Sequence, residues 1–247
     1  MAAIYDRIGR TYASTRQPDP RIAAAIDGAL VGCRSVLNVG AGTGSYEPAV
    51  GRVVAVEPAW TMIAQRLEST APVIQARAEQ LPCADGSFDA VLGVLTVHHW
   101  DDLARGLAEC RRVAADRVVL FTVDVDVGAR FWLFDYFPEI CQIDRWIFPS
   151  MKVLSRHLGE VTVTPVPIPA DCVDGFGGAF WKRLSAYLDP VVRAGMSTFS
   201  RITGAVQGLQ RLQDDLQSDR WLERYRSLQD LEKLDLGYRI VTARIVS

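Results

Sequence analysis

Three glycines at alternate positions, directly after a short apolar run, constrain this chain more than any other feature. Val36-Leu37-Asn38-Val39 stops at Gly40-Ala41-Gly42-Thr43-Gly44. A buried strand that ends in a turn able to take positive φ reads as the start of a strand–turn–helix unit. The pattern then repeats. Arg52 to Val56 is a second run, stopping at Glu57-Pro58, and the spacing predicts a helix from Thr61 to Leu67. Val73-Ile74 starts a third strand, and Phe88 to Val97 predicts a fourth, buried on both faces. Asp101 or Asp102 opens a helix carrying Leu103, Leu107 and Cys110, and Val118 to Val123 is the fifth strand. Such alternation implies an α/β fold with a doubly wound, mostly parallel sheet.

The ends of the chain read differently. Ile22, Ile26, Ala29 and Leu30 mark a first helix, with Asp19 as its cap and Pro20 in its first turn. Val161 to Val166 has strand character, but Pro165, Pro167 and Pro169 remove ladder donors and favour an extended connection. About 65 residues of helical spacing follow. Val206, Leu209, Leu212 and Leu216 form one stripe, and Trp221, Tyr225 and Leu228 another. Gly237 then turns the chain into a terminal strand, Tyr238 to Val246, expected to run antiparallel. The organisation expected is one domain over 1–247. Residues 1–30 form an N-terminal lid and first helix, 31–165 the cofactor-binding core, 166–237 a helical cap, and 238–247 the last strand.

Composition excludes several classes. Lys plus Arg total 27 and Asp plus Glu 29, a net charge of −2, so no nucleic-acid partner is expected. Uncharged runs such as Ser35 to Tyr46 fall short of the ~18 residues of a membrane helix, so a soluble, cytoplasmic protein without a membrane partner is expected. Five scattered cysteines, with no pair at C-x-x-C spacing, suggest neither disulfides nor a metal site.

The chemistry begins at the glycines. Glu57 ends the second strand, 17 residues after Gly40. In a doubly wound sheet that carboxylate lies beside the Gly-rich loop, able to accept from both hydroxyls of a ribose. A dinucleotide or S-adenosylmethionine would suit this layout. The dinucleotide fingerprint requires a third glycine where this chain has Ser45, which favours the smaller ligand.

At four stretches the sequence resembles the class I S-adenosylmethionine-dependent methyltransferases, of the type that includes ubiquinone, menaquinone and trans-aconitate methyltransferases. They are VLNVGAGTG (36–44), VVAVEPAWTMI (53–63), ARAEQLPCADGSFDAV (76–91) and LGVLTVHHW (92–100). The resemblance implies a Rossmann-like fold, S-adenosylmethionine as cofactor and S-adenosylhomocysteine as product. It assigns cofactor contacts to Asn38, Gly40, Ala41, Gly42, Glu57, Pro58, Met62, Ala78, Glu79, Gly93 and Val94, with Tyr12 from the N-terminal lid. Two positions depart from the family: Asn38 replaces a usual acid, and Arg77 a frequent Asp.

A methyl group on a sulfonium is already activated, so catalysis is expected mainly from in-line placement and exclusion of water. His98 and His99 are candidates for a general base, or they shape the loop. Trp100 either packs in the core or stacks on substrate. Tyr5, Tyr12 and Arg16 are candidates for a lid, the arginine paired with a carboxylate. The aromatic run Arg130 to Phe137 lines an acceptor pocket or packs on the cap, and Trp181 and Tyr187 carry the same two readings. The acceptor expected is a small, partly apolar or aromatic molecule. Two alternatives stand beside it: a non-catalytic protein binding S-adenosylmethionine or its product, and a nicotinamide-dependent oxidoreductase, which Ser45 disfavours.

Overall fold

The computed structural model describes residues 16–245. Among them, strands β1 (Ser35–Val39), β2 (Arg52–Val56), β3 (Val73–Ile74), β4 (Phe88–Val94), β5 (Ala114–Val123), β6 (Val161–Pro165) and β9 (Tyr238–Arg244) form one sheet. Its order is β3-β2-β1-β4-β5-β9-β6. The first five strands are parallel, and β9 runs antiparallel between β5 and β6. Strands β7 (Ile168–Pro169) and β8 (Lys233–Leu234) make a separate ribbon. The expected antiparallel terminal strand is thus present.

Helix α1 (Pro20–Ala29) is capped by Asp19, which accepts from the Arg21 N–H, as the sequence predicts. Helix α2 is shorter than predicted, Trp60–Ile63 in place of Thr61 to Leu67. Its cap residue, Ala59, has no side-chain acceptor, and Leu67 is left exposed at 70%. Strand β4 also ends early, at Val94. Leu95 takes φ 47° and the chain turns into a 3-10 turn over Val97–His99. The long apolar run hid this bend, because Val97 is buried by the turn as fully as a strand would bury it. Helix α3 (Leu103–Val113) starts at Asp102, whose carboxylate accepts from Arg105 N–H, and passes directly into β5. Strand β6 corrects the extended connection expected there. Its one proline, Pro165, is tolerated at the strand's end because β6 is the sheet edge, paired on one side only, while Pro167 and Pro169 fall beyond it.

Helices α4 (Val125–Gly128), α5 (Leu133–Tyr136), α6 (Pro138–Ile147) and α7 (Met151–Leu158) lie between β5 and β6. After β6 come α8 (Pro190–Ala194), α9 (Ala205–Gln217) and α10 (Arg220–Arg224), with short 3-10 turns among them. Regular helix in this last segment is sparser than its spacing predicts. On α9 the stripe buries Leu212 but leaves Val206 74% exposed.

The two helical stretches meet in an aromatic cluster. Trp132 lies edge-on to Trp221 at 5.3 Å and to Tyr187 at 5.5 Å. Trp181 is fully buried, its indole N–H shared between the Ile168 and Pro169 carbonyls. Tyr187 is equally buried and donates to the Gly177 carbonyl at 2.8 Å. Both side chains hold the cap together, which settles their two readings. Gly237 has φ 84°, and a Cβ there would lie 2.4 Å from the Asp124 carbonyl oxygen, so the turn into β9 requires glycine.

Candidate active site

Between β1 and β4 the strand order reverses, and an open α/β sheet forms a crevice at the carboxyl ends of the strands there. A cleft of about 570 Å³ occupies that place, within the range of small-molecule sites. Asn38, Gly40, Ala41, Gly42, Glu57, Pro58, Met62, Ala78, Glu79, Val94, His98 and His99 all line it. Gly93 does not. It is buried behind the cleft, where a Cβ would press on Leu120 and Thr96, so its requirement is packing. Tyr12 and Tyr5 lie outside the described residues.

The Gly-rich loop is held by the protein itself. Gly40 has φ 69° and Gly42 φ 55°. A Cβ on Gly40 would fall 1.9 Å from Thr96 Oγ1, so close approach of the β4 turn, as well as positive φ, demands glycine. Glu57 is 5% exposed. Gly42 N–H donates to its Oε2 at 2.9 Å, and Ala59 N–H to its Oε1 at 2.8 Å. The carboxylate therefore braces the loop. Arg66, which the sequence reading missed, straps the far side. Its guanidinium donates to the Gly42 carbonyl at 3.1 Å and the Ala71 carbonyl at 3.0 Å, and pairs with Glu47. Arginine far from a motif in sequence carries no local signal of such a role.

Asn38 tests whether the cleft fits the cofactor. Its Oδ1 is buried with no hydrogen-bond partner among the described residues. A shielded acceptor left unpaired costs free energy unless a ligand supplies a donor. The amino group of S-adenosylmethionine is such a donor, Glu57 suits its ribose, and Met62 and Ala78 are apolar walls for a base. The residues present fit the group. Asn38→Leu, close in volume, removes the orphaned acceptor. The expected result is a free protein that melts at the same temperature or higher, with S-adenosylmethionine bound about tenfold more weakly, the scale of one hydrogen bond to a charged group. Thermal melts and calorimetric titration check the two signs together.

A second cavity, of about 120 Å³, opens beyond the cleft and shares Arg16, Leu95 and His98 with it. Phe131, Phe134, Phe148, Phe176 and Phe199 contribute to its walls. The run from 130 to 137 divides between this cavity and the cap. Phe131, Leu133 and Phe134 face this cavity, while Trp132 and Tyr136 pack in the cap with Trp221 and Asp215.

His98 stands at the junction. Its ring lies 4.1 Å from Phe148 and 3.8 Å from His99, and its Nδ1 is shielded without a partner. Burial, with repulsion from His99, Arg201 and Arg16, holds its pKa well below the ordinary value. Burial and Arg201 bring His99 down to about 4. Both imidazoles are neutral at pH 7, with an acceptor lone pair but weak basicity. Trp100 lines the cleft and packs on Gly106, where a Cβ would meet its ring at 2.5 Å.

Arg16 closes the top. Its guanidinium donates to Asp174 at 2.7 and 3.2 Å. Asp174 also accepts from the Tyr46 hydroxyl at 2.9 Å, and Asp19 N–H donates to that hydroxyl at 3.1 Å. The expected Arg–carboxylate pair is therefore internal, tying the segment before α1 to the cap and to the chain after the glycines.

A mostly parallel sheet with this strand order, a braced Gly-rich loop and an acid just after β2 define a Rossmann-like protein with a nucleoside-cofactor cleft. Comparison with known proteins identifies which. The family model described as a methyltransferase domain matches residues 37–122. A crystal structure of a candidate methyltransferase from an antibiotic biosynthesis pathway of Anabaena variabilis is 32% identical, covering 92% of this chain and 98% of that one, with a TM-score of 0.84. YcgJ of Bacillus subtilis shares the fold at 17% identity, covering 92% of this chain and 98% of that one, with a TM-score of 0.54. The [4+2]-cyclase SpnF shares it at 15% identity, covering 98% and 93%, with a TM-score of 0.56. No curated protein matches. The chain belongs to the class I S-adenosylmethionine-dependent methyltransferases, type 11, and S-adenosylmethionine is its cofactor. No helix among the described residues is long and apolar enough to cross a membrane, and no group of three or more metal-binding side chains occurs among them.

Proposed function

We propose that this methyltransferase acts on a small acceptor with an apolar or aromatic ring, held in the phenylalanine-lined cavity. One observation carries the reading: that cavity shares Leu95, His98 and Arg16 with the cofactor cleft. Its volume, about 120 Å³, is near the ~150 Å³ of an apolar cavity that takes a benzene ring. The pathway named for the 32% identical relative supports a specialised metabolite as acceptor.

The cofactor supplies a methyl group on a positively charged sulfur. Asn38 accepts from its amino end, Glu57 holds its ribose, and Met62, Ala78 and Pro58 flank its base. Leu95 and His98 line both chambers and so bound the path between them. His98, neutral and unpaired at Nδ1, orients the acceptor rather than removing its proton, because so weak a base gains little from proton transfer. The cap aligns the acceptor with the transferring carbon, which is where positioning contributes most to rate.

The test is transfer from methyl-labelled S-adenosylmethionine to a panel of single-ring phenols, anilines and aromatic acids, with bulk RNA and a protein extract in parallel. Label in the small-molecule fraction is expected. Label only in RNA or protein would sink this reading.

A further inference from the structure

We infer that Asp144 is the proton acceptor of the acceptor cavity, so that the group methylated is a ring-borne O–H or N–H. The inference rests on the acceptor cavity proposed above. Three observations carry it. Helix α6 turns Ile140, Cys141 and Asp144 onto the cavity, with Phe148 just beyond its end, the spacing of one helical face. Among the described residues lining that cavity, Asp144 is the carboxylate, set between phenyl rings and the Met196–Phe199 segment. The Thr198 hydroxyl donates to its Oδ1 at a long 3.4 Å. A carboxylate has lone pairs beyond the one that this long bond uses, and it can accept from a ligand donor in the cavity.

The charged and titratable groups around it come from every neighbouring element. Arg201 acts on it from the turn after Thr198. Tyr238 feels it from β9, and already accepts from Gly178 N–H at 3.2 Å. Arg16, His98 and Cys141 share the cavity wall. His98 is a weak base, and Arg16 is committed to Asp174, so Asp144 is left as the carboxylate able to take a proton there. Burial pushes it up to about 7, against the opposing Thr198 hydrogen bond and Arg201 charge. A base titrating near the working pH is the efficient kind.

The step balances. A lone pair on the acceptor oxygen or nitrogen forms the new bond to the methyl carbon. The electron pair of the breaking carbon–sulfur bond stays on sulfur, which becomes a neutral thioether. The acceptor's proton passes to Asp144, and from the neutral carboxyl to solvent when product leaves. A thioether acceptor, which has no proton to give up, would have no use for this carboxylate.

The experiment uses two ring probes of nearly equal shape, 4-fluorophenol and 4-fluorotoluene, bound to the full chain with S-adenosylhomocysteine and followed by fluorine NMR. Wild-type protein at pH 8 should hold the phenol at least tenfold more tightly, the scale of one hydrogen bond to a charged acceptor. Asp144→Ala should shrink that preference to threefold or less while leaving S-adenosylhomocysteine affinity unchanged. Equal binding of the two probes by wild type overturns the assignment but leaves the cavity as the acceptor site. Entry of neither overturns both.

A second readout needs no probe. Between the ordinary carboxylate pKa and about 7 the folded protein holds a proton that the unfolded chain has lost, so wild-type stability falls as pH rises through that window. The melting temperature of Asp144→Asn should therefore gain on wild type from pH 4 to 7 and level off above. A constant difference would overturn the assignment. With an acceptor in hand, wild-type turnover should rise with pH through about 7, and Asp144→Asn should lose that limb.

Discussion

Replacing Glu57 by glutamine should weaken S-adenosylmethionine binding by ~1.5–3 kcal/mol, or about 10- to 150-fold, and replacing it by alanine should do no worse. The near-isosteric variant fails because of what the carboxylate already does. Its two oxygens accept separately, from Gly42 N–H at 2.9 Å and Ala59 N–H at 2.8 Å. An amide has one oxygen. Its NH2 would face one of those N–H groups, donor against donor, and the loop would lose its brace. The ribose would lose a charged acceptor at the same time. Calorimetric titration of wild type, Glu57→Gln and Glu57→Ala with S-adenosylmethionine and S-adenosylhomocysteine measures this directly. Wild-type affinity in the glutamine variant would remove the carboxylate from cofactor recognition.

Gly40→Ala should cost ~2–5 kcal/mol of stability and abolish measurable cofactor binding, the sum of two separable penalties. One is conformational: at φ 69° an alanine Cβ crowds its own carbonyl, at ~1–2 kcal/mol. The other is steric, because that Cβ would lie 1.9 Å from Thr96 Oγ1 and 2.7 Å from Thr96 Cβ. Thr96→Ala removes the Oγ1 and Cγ2 contacts but not the φ strain. The double variant should therefore recover part of the loss, a coupling of ~1–3 kcal/mol in a double-mutant cycle read by chemical denaturation. Strict additivity would show that Thr96 yields freely and that φ alone demands the glycine.

The doubly wound core was legible because its signals are local. Buried parallel strands are continuous apolar runs, and each stops at residues that end strands. Asp19, Asp102 and Gly237 mark their turns and caps by chemistry that acts within a few residues. The cofactor cleft was legible for the same reason, since the glycines, Asn38 and Glu57 are placed by strand ends and by one crossover. The errors fall where long-range packing overrides local pattern. Leu95 at φ 47° breaks a run that reads as strand, because the chain must swing Thr96 over Gly40. Pro165, which argues against β6, is harmless at an edge, and only the sheet order reveals the edge.

Asp144 carries no motif at all. It sits in an ordinary amphipathic helix, and its environment comes from Thr198, Arg201 and Tyr238, 54 to 94 residues away. Arg16 was visible as a cation that wanted a carboxylate, but its partner, Asp174, is 158 residues distant. Hydrophobic periodicity and turn chemistry act over one or two turns of chain, so the sequence by itself determined the five parallel strands, the Gly-rich loop and the place of Glu57 just after β2. The cavity proposed for the acceptor is walled by side chains from six separate stretches of the described chain. Burial, and with it the protonation of each polar group inside, exists only once those stretches are packed, so the tertiary structure alone decided it.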